Sequence, residues 1–81
     1  MSDTVSTLAA RLAEDTLKVM DETGDDRFFV EVGDLLGASS QTLEEAFLTE
    51  IRVRLAERKA RQFVVKRLSQ YRTKQKAIEK Q

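Results

Sequence analysis

Apolar side chains recur at three- and four-residue spacing in three stretches of this chain, and glycines separate the stretches. That spacing is one face of an α-helix. The first stretch, residues 4–22, places Val5, Leu8, Ala9, Leu12, Thr16, Val19 and Met20 on such a face. Gly24 follows and supplies the left-handed residue that commonly ends a helix, after which Asp25 or Asp26 is placed to cap the next one by accepting a backbone N–H bond. The second stretch, residues 27–36, is less distinct, because Phe29, Val30, Glu31 and Val32 also alternate as a short strand would. Helix is the assignment: a lone strand in a chain this poor in strand signals would leave its backbone groups unpaired. Gly37 closes that segment. The third begins at Ser40 or Thr42, where Thr42 and Glu45 have capping-box spacing, and no Pro or Gly interrupts residues 43–76. The expectation is an all-α fold in one domain, 1–81. Two short N-terminal helices pack on a long C-terminal helix of about residues 40–76, and residues 77–81 form a disordered tail.

The length of the third helix is the critical feature. About 35 residues at 1.5 Å each make a rod of roughly 50 Å, whereas a compact chain of this size has a radius of gyration of about 12 Å. Two short helices cannot cover it, so part must project. Around its circumference, Phe47, Leu48, Ile51 and Leu55 form one side and suit an intramolecular core. A second side carries Ala46, Thr49, Val53, Ala56, Ala60, Phe63, Val64, Leu68 and Tyr71 in an alternating three-four spacing that matches a coiled-coil seam, degrading where Arg67 and Lys74 take the continuing positions. Roughly 400 Å² of such surface, at about 25 cal/mol per Å², is an upper limit of about 10 kcal/mol per chain on burial. The expectation is a homodimer, antiparallel or domain-exchanged, with Val53, Ala56, Ala60, Phe63, Val64, Leu68 and Tyr71 in the interface. The competing arrangement breaks the rod at residues 57–62, ERKARQ, and folds it back into a monomeric bundle.

Composition changes this picture in two ways. The formal net charge of zero conceals a division: residues 1–50 hold twelve acidic against three basic side chains, a net −9, and residues 51–81 hold eleven basic against two acidic, a net +9. A chain so polarised can steer a charged macromolecule to one end or dock on a copy of itself. The second change is what is missing. With no His and no Cys among 81 residues, the usual general base, the thiol nucleophile and the common transition-metal ligands are absent, so neither an enzyme nor a cofactor is expected. The acidic turn DETGDD departs from a calcium loop: counted from Asp21, its Gly falls at position 4 and position 12 is Val32. The lack of cysteine, of a signal-like N-terminal stretch and of any long apolar run makes a reducing cytoplasm the natural location. Membrane adsorption is disfavoured by an Ala-rich apolar face.

One motif supports an alternative. From Val32 through Gly33, Gly37, Ser39, Ser40, Gln41 and Thr42 to Ala46, a small residue lies four before a turn Gly, and apolar residues follow at helix-packing spacing. The stretch resembles the DNA-binding helix-turn-helix family over about 18 residues. The resemblance implies that Ser39, Ser40, Gln41 and Thr42 begin a recognition helix facing the major groove; the basic segment separately offers Arg52, Arg54 and Arg58 as further nucleic-acid contacts. Glu44, Glu45 and Glu50 depart from it by placing negative charge where phosphates would lie. The function expected first is a non-enzymatic protein-protein interaction module, a small regulator, adaptor or assembly factor acting as a homodimer with a macromolecular partner.

Overall fold

The computed structural model describes residues 3–79, which form three helices: α1 (Asp3–Thr23), α2 (Phe28–Gly37) and α3 (Gln41–Glu79). No strand occurs among the described residues, so the all-helical class holds. α1 ends as expected. Gly24 has φ +76° and its N–H donates to the Met20 carbonyl at 2.9 Å, a backbone conformation that costs a residue with a Cβ. The following turn corrects the expected cap: Asp25 Oδ1 accepts from the Arg27 N–H at 3.1 Å, and Arg27, whose side chain makes no capping bond, occupies the N-cap of α2. Asp25 thus shapes the turn one step before the helix begins, as an Asx turn does.

Burial resolves the helix-or-strand ambiguity of α2. Phe28, Phe29, Val32 and Leu36 pack half-buried against the core, a set that shares one side only at helical spacing. Gly33 is buried between the helices, and a Cβ there would stand 3.2 Å from Leu48 Cδ2, so its missing side chain allows α2 to approach α3 closely. Gly37 is the last residue of α2 and does not use a left-handed conformation; the N–H groups of Ser39 and Ser40 both reach the Leu36 carbonyl, at 2.9 and 2.7 Å. Of the two starts expected for α3, Ser40 and Thr42, Ser40 is the cap: its Oγ accepts the Leu43 N–H at 3.1 Å.

The core is small: Ala9, Ala13, Leu17 and Met20 of α1 meet Phe47 and Ile51 of α3, the latter two fully buried. Here α1 presents a face rotated from the one its sequence suggests. Ala13 and Leu17 are inside, whereas Leu8 and Val19 are exposed. The small residues Ala9 and Ala13 let the α1 backbone come close to the large Phe47 and Ile51, which a line through Leu8 would hold apart.

α3 is unbroken from Gln41 to Glu79, so the expected alternative of a break at 57–62 does not occur. It also continues beyond residue 76: residues 77–79, expected to belong to a disordered tail, are helical, because no Gly or Pro stops the run. Lys80 and Gln81 lie outside the described residues. Among residues 41–77 of α3, Ile51 is the last buried and Leu55 the last half-buried; every residue of 56–77 is exposed. The chain is accordingly extended, 64 × 31 × 13 Å with a radius of gyration of 18.3 Å, against about 12 Å for a compact chain of this length. Its accessible surface is 6665 Å², where a folded monomer of this mass typically exposes about 4,900 Å². Among the described residues, no helix is long and apolar enough to cross a membrane.

Candidate interaction surface on the distal half of α3

The line of α3 that buries Phe47 and Ile51 continues distally as Arg58, Gln62, Val65 and Ser69. Polar residues therefore end the core at the point where α1 and α2 run out. The second apolar stripe lies about 150° further round the helix, at 100° per residue. No other described part of the chain covers it: Val53, Phe63, Val64 and Tyr71 are about three-fifths exposed, at 60, 62, 63 and 57%, and Leu68 is 46% exposed. Ala56 and Ala60, also exposed, lie between them. All seven residues expected in the interface thus share one open face of one rigid helix. Arg67, which interrupts the stripe, holds its guanidinium 5.3 Å from the centroid of the Phe63 ring, so its charge rests on the aromatic face within the apolar line. The Tyr71 hydroxyl, at the far end, accepts a bond from Gln75 Nε2 at 2.8 Å.

Val65 is a large exposed apolar residue that the seam pattern omitted. It lies on the polar continuation of the core side, and the run Phe63, Val64, Val65 is the only sequence signal for it. At its upstream end the stripe borders a groove of about 540 Å³ between α1 and α3, lined by Glu14, Leu17, Lys18, Val53, Arg54, Glu57 and Arg58.

Charge is arranged along the rod in two zones. Near the head, the Arg58 guanidinium donates to both carboxylate oxygens of Asp21, at 2.9 and 3.0 Å. The bond holds the Asp21 carboxyl below the usual carboxylate range and raises Arg58. Arg54 pairs with Glu50 at 3.3 Å and approaches Glu14 at 3.6 Å, and Arg61 pairs with Glu57. Beyond residue 61, Lys66, Arg67, Arg72, Lys74 and Lys76 enter no ion pair among the described residues, and no acidic side chain intervenes before Glu79.

The residues implied by the helix-turn-helix resemblance are not brought together as a reading surface. Ser40 commits its hydroxyl to the helix cap, while Ser39 and Gln41 are exposed beside it. Of the arginines, Arg52 is free at the surface, but Arg54 and Arg58 are engaged by Glu14, Glu50 and Asp21. Arg58 also lies about 26 Å along the helix from Gln41 at 1.5 Å per residue. Set against protein-family models, curated proteins and solved structures, the chain matches none of them.

Proposed function

We propose that this protein is a non-enzymatic interaction module, a small regulator, adaptor or assembly factor, that works as a homodimer joined through the distal half of α3. The observation that carries this reading is the exposed stripe of Val53, Ala56, Ala60, Phe63, Val64, Leu68 and Tyr71 on a helix whose own core lies on another side. α1 and α2 are already occupied on the other side of the helix, where they bury Phe47 and Ile51. A contiguous apolar patch of this extent marks an association surface. With the rods paired, the charged surface that lies off the stripe is what a macromolecular partner of the cytoplasm would meet.

Mass in solution tests the reading directly. Sedimentation at micromolar concentration is expected to give two chains for the native protein and one for Phe63→Glu, which places a charge in the middle of the stripe. A native mass of one chain across the micromolar range would overturn it.

A further inference from the structure

The homodimer proposed above leaves the relative direction of the two rods open, and the side chains along the stripe decide it. We infer that the second copy docks antiparallel about residue 62, setting Val53 opposite the partner's Tyr71, Ala56 opposite the partner's Leu68 and Ala60 opposite the partner's Val64.

Two arrangements bury the whole stripe of residues 53–71 in both copies: parallel in register, and antiparallel about its midpoint. Side-chain size separates them. The stripe is thin upstream, at Ala56 and Ala60, and thick downstream, at Phe63, Val64, Leu68 and Tyr71. Parallel pairing stacks alanine on alanine and tyrosine on tyrosine, so the rods would touch at one end and splay at the other. Antiparallel pairing meets each small residue with a large one and keeps the helix axes evenly spaced, which interior-like packing requires.

Charge separates them again. In the parallel pair Arg67 faces its own copy, and the basic runs of 66–76 lie side by side with no acidic residue between them. In the antiparallel pair Glu57, already bound to Arg61 of its own chain, comes opposite the partner's Arg67, and Glu50, bound to Arg54, comes opposite the partner's Lys74, so each carboxylate can share a second cation and each basic run passes the other chain's acidic head. That passage has a place to go. Upstream of Val53 a shallow groove between α1 and α3 is lined by Val5, Ala9, Ala46 and Thr49 and edged by Glu45 and Glu50. The partner's Lys74 and Lys76 arrive at that acidic edge. The area is sufficient: against 6665 Å² exposed, a compact chain of this mass shows about 1,700 Å² less, and a standard interface takes about 800 Å² from each partner.

The chain has no cysteine, so introduced thiols report the register without background. Ala56→Cys and Leu68→Cys both lie on the exposed stripe and leave the core untouched. Oxidising a mixture of the two variants after subunit exchange is expected to yield a covalent pair containing one of each, and neither variant alone is expected to cross-link. Spin labels at Cys-substituted position 56 provide an independent measure. The antiparallel register offsets the two labels by about 18 Å along the axis, twelve residues at 1.5 Å, whereas the parallel one sets them side by side, about 10 Å apart. Cross-linking of Ala56→Cys with itself, or the short separation, would overturn the register while leaving the dimer standing. A single-chain mass would remove both.

Discussion

The two halves of α3 are made of the same continuous helix, yet they are held in place by different things. In the upstream half, up to Leu55, one side is anchored: Phe47 and Ile51 are fully buried against Ala9, Ala13, Leu17 and Met20. The downstream half, from residue 56, has apolar side chains of comparable bulk, and those of residues 56–77 are all exposed. What differs is the side of the rod on which they stand. Upstream the grease faces α1 and α2; downstream that same side reads Arg58, Gln62, Val65 and Ser69, mostly polar, and most of the grease has moved round to a side that no other described part of the chain covers. The comparison teaches that a long helix can carry two separate burial problems, one solved within the chain and one that needs a second molecule. Most of a protein helix's stability comes from packing of its apolar face, so the second problem also bears on whether the distal rod stays formed.

The sharpest way to break the comparison is to truncate one large residue in each half. Phe47→Ala is expected to cost about 3–5 kcal/mol in denaturant unfolding, as loss of a fully buried aromatic does, which is a large fraction of a typical domain's stability of about 5–15 kcal/mol. Phe63→Ala, measured at dilution where chains are separate, is expected to change stability by within about 0.5 kcal/mol. Equal losses would mean that the distal stripe is covered within the chain after all.

Hydrogen exchange sharpens the same contrast without mutation. Backbone amides of residues 43–51 should keep their protection on dilution, because their packing is intramolecular, whereas those of 60–75 should lose at least about tenfold as the dimer dissociates. Protection that ignores concentration in both halves would count against the dimer.

Two smaller effects concern contacts made within one chain. Ser40→Ala removes the oxygen that satisfies the Leu43 N–H and should lower unfolding stability by about 1 kcal/mol, leaving dimer affinity unchanged. Smallest is the exposed pair of Asp21 and Arg58. Asp21 is held below its ordinary range by the Arg58 bond, so its folded form binds a proton less readily than its unfolded form. Its contribution is therefore present at neutral pH and is lost as pH falls through the lowered value, below about pH 4. Asp21→Asn should be slightly less stable than the native chain at pH 7, and the difference should close in acid; a gap that widens in acid would contradict the assignment.

Much of this was legible residue by residue. Helical spacing marks three elements, Gly24 marks the end of α1, and the absence of Gly and Pro after Leu43 predicts a rod longer than its neighbours, because these depend on local backbone preferences. The side of α3 that holds Phe47, Leu48, Ile51 and Leu55 was equally readable, since only one line on that helix is continuously large and apolar there. Other features were not. Leu8 and Val19 look as buried as Leu17 on a helical wheel, and only the closeness that Ala9 and Ala13 allow with Phe47 and Ile51 turns α1 so that Leu17 goes inside. Asp25, Asp26, Ser40 and Thr42 are all competent caps. Which of them acts depends on where the turn places each hydroxyl or carboxylate, and the structure gives that role at α3 to Ser40 alone among the pairings expected. The candidate surface was found by periodicity, except for Val65, which lies off the stripe.

By itself the sequence determined that the chain is helical, that its charge is divided between its ends and that its third helix outruns the other two, since each follows from local spacing and composition. Only the tertiary structure decided which face of α1 is inside, that α3 runs straight past residues 57–62, and that Arg54 and Arg58 are engaged by acids of the same chain. Those outcomes depend on distances between residues far apart in the chain, and the helix periodicity that shows a side chain's angle on its own rod carries no information about what stands opposite it.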